Sequence, residues 1–209
     1  MQNKRAIEIM DTTLRDGEQT SGVSFSANEK LTLAKLLLTE LKVDRIEIAS
    51  ARVSDGEFNA VKGIIKWAKG NGYLKAVEIL TFVDNHTSID WMKKAGAKVQ
   101  NLLTKGSLNH LKHQLKKTPD EHFNEVEQTI NYAISNQIET NVYLEDWSNG
   151  MRNSKEYVFE FLDFLSKKPV KRILLPDTLG VLTPIECNSF ISEICQKYPS
   201  LHIDFHGHN

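Results

Sequence analysis

Two histidines separated by one residue, His206 and His208, close the stretch SLHIDFHGHN near the end of the chain. On an extended backbone, residues two apart project to the same face. Two imidazoles on one face are good donors to a divalent cation. Gly207 between them leaves room on the opposite side. An H-x-H pattern also arises by chance, so the pair gains meaning only with a third donor. The other end of the sequence offers one in MDTTLRDGEQTSG, where Arg15 stands beside Asp16. An aspartate and two histidines make a mixed oxygen and nitrogen site suited to Zn²⁺, Mn²⁺ or Co²⁺, and tolerable for Mg²⁺ with waters. Arginine is a permanent cation that can grip a substrate carboxylate or polarise a carbonyl. The competing reading is that Arg15 and Asp16 form a structural ion pair in a loop.

Such residues must be delivered by regular elements. Short β-branched runs predict strands at Ala6–Asp11, Arg45–Ser50, Ala76–Val83, Lys98–Leu103, Ile138–Leu144, Arg172–Pro176 and His202–His206. Amphipathic stretches between them predict helices over Ala27–Leu41, Glu57–Lys69, Ser88–Ala95, a pair within Ser107–Asn136, Lys155–Ser166 and Pro184–Tyr198. Leu31, Ala34, Leu38 and Leu41 have the three-and-four spacing of a face packed on a sheet. Helix starts carry their own signals: Ser26 with Glu29 as a capping box, Thr118-Pro119 and Thr183-Pro184. Alternation of strand and helix implies a parallel sheet, either an open doubly wound one or a (β/α)₈ TIM barrel. No dinucleotide glycine fingerprint follows the first strand. Polar residues gather after nearly every strand, at Asp11–Gln19, Glu47–Ser54, Asp84–His86, Glu145-Asp146, Asp177-Thr178 and His206–Asn209. An open sheet concentrates its site at one switch point, whereas a barrel collects it around a ring. The pattern therefore favours the barrel, truncated after its seventh strand, with residues 1–209 as one catalytic domain incomplete at its C-terminus. In a closed barrel only the eighth strand separates the first from the seventh, which makes Asp16 the third ligand for His206 and His208.

Bulk properties narrow the function further. The 26 basic and 27 acidic residues give a net charge of −1, which supplies no electrostatic reason for nucleic acid or an anionic membrane as partner. The apolar runs are too short to span a bilayer, and acidic residues interrupt the N-terminus where a signal peptide needs apolar ones. Cys187 and Cys195 are over two helical turns apart, about 12 Å of rise, too far for a disulfide. A reduced, cytoplasmic protein is expected. His110 and His113 read as a solvated helix face, and the lysine pairs at 93–94, 116–117 and 167–168 as solubilising surface.

DTTLRDGEQ at Asp11–Gln19 resembles the first-strand signature of the metal-dependent barrel family of 2-isopropylmalate, homocitrate and citramalate synthases, which also includes 3-hydroxy-3-methylglutaryl-CoA lyase. IEIAS, LED at Leu144–Asp146, LPDTLGVLTP at Leu175–Pro184 and HGHN at His206–Asn209 follow in register. Glu18 is similar to the condensing branch, where the lyases carry an apolar residue. VSFSANEK, VDRIEIASARVS, KVQNLLTKGSLNHL and NVYLEDWSNGMRNS look most like citramalate synthases. The resemblance implies that Asp16, His206 and His208 bind the metal (Zn, Mn or Mg) and that Arg15 engages a 2-oxo acid. It further implies that Glu47 positions Arg15, that Thr178 binds the substrate carboxylate, and that Glu145 faces the reaction centre. Acetyl-CoA is the implied co-substrate, a homodimer the implied assembly, and a further asparagine ligand is implied past Asn209.

The implied reaction is a metal-dependent Claisen condensation of acetyl-CoA with a small 2-oxo acid, driven by thioester hydrolysis. Leu80, Leu103 and Tyr143 fall at the ends of the third, fourth and fifth strands, where they can surround the substrate's variable group. Bulky apolar residues there suit the methyl of pyruvate and exclude the charged arm of 2-oxoglutarate. Pyruvate giving (R)-citramalate is the expected reaction, with 2-oxoisovalerate or 2-oxoglutarate as alternatives. The non-enzymatic alternative is an inactive barrel fragment with open strand edges.

Overall fold

The computed structural model describes residues 7–208 of the 209-residue chain. The strands are β1 (Met10–Asp11), β2 (Arg45–Ser50), β3 (Val77–Phe82), β4 (Val99–Lys105), β5 (Glu139–Glu145), β6 (Ile173–Asp177) and β7 (Ile203–Gly207). The helices are α1 (Ala27–Thr39), α2 (Asp55–Gly70), α3 (Thr87–Ala95), α4 (Leu108–His110, continuing as a π turn at Leu111–Leu115), α5 (Pro119–Ser135), α6 (Trp147–Asn153), α7 (Lys155–Leu165) and α8 (Pro184–Lys197). The strands stand in one sheet in chain order, β1 to β7, with parallel pairing from β1 to β3 and from β5 to β7. This is the succession of a (β/α)₈ TIM barrel, with seven of its strands among the described residues.

Local chemistry accounts for the boundaries. Capping boxes at Ser26/Glu29, Thr118/Glu121 and Thr183/Glu186 start α1, α5 and α8, and proline follows the cap in the last two. The predicted first strand shortens to Met10–Asp11; just ahead of it the Ile9 N–H donates to the Asp44 carboxylate at 2.7 Å, while its carbonyl accepts from the Asp44 and Arg45 N–H groups, and Ala6 lies outside the described residues. Helix α1 ends at Thr39, before the expected Leu41, because the Leu41 N–H turns back to Leu36 and Lys42 enters the left-handed region at φ 57°. Leu41 is therefore exposed, while Ala34 and Leu38 pack as expected. Helix α6 was not visible as a periodicity. It starts at Asp146, whose φ of 63° turns the chain sharply off β5.

Two compact units cluster within the chain, one from residues up to 81 with 87–100, the other from 82–86 with 101 onward. The core of the first draws on Ile46 and Ile48 of β2, Val77 and Ile79 of β3, and Val61, Ile64 and Ile65 of α2. In the second, Leu102, Val142, Leu144, Ile173 and Leu175 meet Val126 and Ile130 of α5 and Val158, Phe161 and Leu162 of α7. Burying each such side chain stabilises by about 1.5–3 kcal/mol. Strand alternation then sends the odd-numbered residues of β4 and β5 to the face away from these helices. Asn101, Leu103 and Lys105 share that orientation with Asn141, Tyr143 and Glu145, and the Asn141 amide donates to Asn101 at 2.9 Å. Cys187 and Cys195 are free thiols, and no helix among the described residues is long and apolar enough to cross a membrane.

Candidate active site

In the first unit the loop after β1 is built by its own polar residues. The Asp11 carboxylate accepts from the Thr13 N–H at 2.9 Å, and the N–H groups of Arg15, Asp16 and Gly17 converge on the Thr12 carbonyl. That turn presents Arg15, whose Nε donates to Glu47 and whose Nη1 donates to Asp16 at 2.7 Å. Glu47 is fully buried, on the β2 face opposite Ile46 and Ile48. The arginine is thus clamped by one buried and one partly exposed carboxylate, more than the loop ion pair that sequence adjacency alone suggests. Leu80 is buried near the end of β3.

Glu18 anchors the same loop. Its carboxylate accepts from the Phe25 N–H at 3.0 Å and pairs with Lys30 at 2.5 Å. Lys30 is buried, and its ammonium also reaches Glu57 at 2.5 Å and the Leu14 carbonyl at 3.3 Å. Sequence reading missed Lys30, since a lysine on an amphipathic helix reads as solvent-facing. The glutamate of DGEQ is a structural tie that holds the loop carrying Arg15 and Asp16.

In the second unit, His206 and His208 face the same way with their Nε2 atoms 3.0 Å apart. Gly207 permits this, because Phe205 lies 2.9 Å from where its Cβ would stand. Two imidazoles whose ring nitrogens converge this closely fit a shared divalent cation. Tyr143 of β5 is buried and meets the His206 ring edge-on at a 6.1 Å centroid distance. Leu103 is half-buried on β4. Thr178 accepts the Asp146 N–H at 2.9 Å, so its hydroxyl proton is what it can offer a carboxylate. Glu145 ends β5 and accepts a hydrogen bond from the Lys105 ammonium, a residue absent from the sequence-level candidates. Lys105 stands two positions beyond Leu103, and strand parity alone was the signal that placed it.

The loops behind this cluster are tied down by buried polar groups. Asp146 accepts from Ser107 at 2.6 Å and from Asn149 at 2.8 Å. His110 lies 3.6 Å from the same carboxylate, so it is not on a solvated face; His113 is. Asp177 accepts from Ser148 at 2.7 Å and from the Leu182 N–H at 2.9 Å. Burial pushes the Asp177 carboxyl up, but these donors and the Arg152 charge outweigh it and hold it below its ordinary value. Arg152 grips Glu186 with Nε and Nη2 at 2.9 and 2.7 Å, which ties α6 to the start of α8.

The chain is similar to known proteins in sequence and in fold. A probable 2-isopropylmalate synthase of Ignicoccus hospitalis is 31% identical over 205 residues, covering 98% of this chain and 49% of that protein. The (R)-citramalate synthase CimA of Methanocaldococcus jannaschii is 33% identical over 204 residues, covering 97% of this chain and 39% of that one. The chain thus spans about half or less of the length of the curated relatives it matches. In fold it is similar to the HMG-CoA lyase of Bacillus subtilis, with a TM-score of 0.78 at 20% identity, covering 97% of this chain and 68% of that one. The family model described as HMGL-like matches residues 6–209, from ahead of the Arg15 loop to beyond the histidine pair, and the chain belongs to that family.

Proposed function

We propose that this chain carries the condensing site of an acyltransferase that joins acetyl-CoA to a small 2-oxo acid, pyruvate giving (R)-citramalate. The observation that carries the reading is Arg15, a permanent cation fixed between Glu47 and Asp16 in the loop after β1. The relatives support it: 2-isopropylmalate, citramalate and homocitrate synthases all match along nearly the whole chain. Asp16, His206 and His208 would hold the divalent cation, Zn, Mn or Mg, which when bound would make the keto carbon electrophilic.

The chain's own residues do the rest. Arg15 binds and orients the 2-oxo acid, and Glu47 keeps the guanidinium from swinging away. Thr178 donates a hydrogen bond from its hydroxyl to the substrate carboxylate. Glu145, the last residue of β5, faces the reacting groups. Leu80, Leu103 and Tyr143 surround the variable group and leave a charged arm without a partner, which favours pyruvate over 2-oxoglutarate. Discrimination against 2-oxoisovalerate rests on size alone, worth about 1–3 kcal/mol per methylene. A cytoplasmic homodimer is the form we propose.

Release of free CoA from acetyl-CoA by the complete protein, with Mn²⁺ or Mg²⁺, tests the reading. Release should be fastest with pyruvate. Faster release with 2-oxoisovalerate would reassign the substrate, and no release with any 2-oxo acid would overturn the reaction class.

A further inference from the structure

We propose that Lys105 is the positioning residue for Glu145, its ammonium holding the carboxylate in the orientation that faces the reacting groups. This rests on the condensation reading above and adds to it a residue that reading does not contain.

Both ends of the pair are built in place. Lys105 and Glu145 are the last residues of β4 and β5, and their side chains are 13% and 23% exposed. Exposed lysines wander among rotamers and their pairs contribute little. Here, however, the backbone of Lys105 is gripped on both sides. Its N–H donates to Nε2 of His122 at 3.3 Å, and its carbonyl accepts from the Tyr157 hydroxyl at 2.8 Å. His122 is fully buried. Burial, with the charges of Lys117 and Lys105, brings its pKa down to about 4, so its ring is the neutral acceptor this bond requires. Burial likewise pushes the Tyr157 hydroxyl up, which keeps it a donor.

The next residue closes the clamp. The Gly106 N–H donates to the Glu145 carbonyl at 2.6 Å, so the peptides carrying the ammonium and the carboxylate are bonded to each other. A Cβ at Gly106 would lie 2.6 Å from the Leu144 carbonyl oxygen, and one at Gly150 would lie 2.0 Å from the Gly106 carbonyl oxygen. Two glycines thus let α6 and β5 press on the segment bearing Lys105. Leu102 and Leu144 pack toward the helices. Strand parity therefore directs Lys105 and Glu145 to the face they share with Leu103 and Tyr143. A surface salt bridge would need none of this support. With Oε2 bound to the ammonium, Glu145 is limited in how its other oxygen can be presented, which is orientation fixed before substrate arrives.

Two measurements on the complete protein test this. In the CoA-release assay, Lys105→Met should lower kcat by about 100-fold while KM for the 2-oxo acid changes less than about threefold, and Lys105→Arg should recover about tenfold of the loss. By ¹H–¹⁵N NMR, the Lys105 ammonium should be protected from exchange in the wild type and lose that protection in Glu145→Gln. Wild-type kcat in Lys105→Met overturns the proposal, as does equal loss in Met and Arg variants with a lowered Tm. An unprotected ammonium in the wild type also overturns it. A wild type that releases no CoA, yet shows the protected ammonium lost in Glu145→Gln, sinks the condensation reading instead, with the pairing intact.

Discussion

Arg15 is held in place by Glu47. A fully buried carboxylate persists only with a cation beside it, and removing one member of such a pair leaves the other uncompensated. Glu47→Ala should therefore cost about 3 kcal/mol in urea unfolding and also raise KM for the 2-oxo acid. Glu47→Gln, which keeps the volume and an acceptor, should restore most of the stability and little of the binding. His122 gives a pH signature. Its folded pKa of about 4 lies below the ordinary 6.5, so its neutral form is the one the fold accepts. The stability this contributes is complete above pH 6.5 and is lost as pH falls toward 4, roughly 3 kcal/mol over that window. Replacement by Gln should flatten this part of the stability-against-pH curve. An unchanged slope in chemical denaturation between pH 7 and 4 would contradict the assignment.

Elements set what a sequence reader sees. The Lys30 tie from α1 to Glu18 and Glu57 fixes the loop carrying Arg15 and Asp16, and Lys30→Met would leave two facing carboxylates at the position of a buried ammonium. That variant should lose about 3 kcal/mol by chemical denaturation. Lys30→Arg, which keeps the charge in a larger group, should lose less. Strands β2 to β7 were legible to within two residues because β-branched runs and capping boxes act locally. Arg15 and Asp16 in the loop after β1, Glu47 on β2, Glu145 at the end of β5, Thr178 after β6 and the histidines at β7 could be placed on their elements for the same local reason. Lys30, Lys105, His122 and helix α6 were not legible. A buried lysine is identified by the carboxylates around it, and those come from residues far off in sequence. Likewise, the seven residues of α6 start from a left-handed Asp146 and include Gly150, features that read as a turn.

At the scale of the whole molecule, the proposed ligands come from opposite ends of the chain, Asp16 after β1 and His206 and His208 at β7. A cation held by all three would act as a cross-link closing nearly the full length of the chain. Such a ligand binds the folded state and finds no comparable site in the unfolded one. At 100 times its Kd it adds about 2.7 kcal/mol, which for a chain of this size raises Tm by about 5–10 °C. Melting followed by circular dichroism should show that rise on adding Mn²⁺ or Zn²⁺ and its reversal by EDTA. Asp16→Asn and His206→Ala should each remove most of the metal-dependent rise. His206 is half-buried and Asp16 partly exposed, so the metal-free Tm of His206→Ala should move by only a few degrees, and that of Asp16→Asn slightly more through the lost Arg15 contact. A rise that survives in both variants would place the metal elsewhere. If only the histidine variant loses it, the pair at β7 binds without the first-strand aspartate.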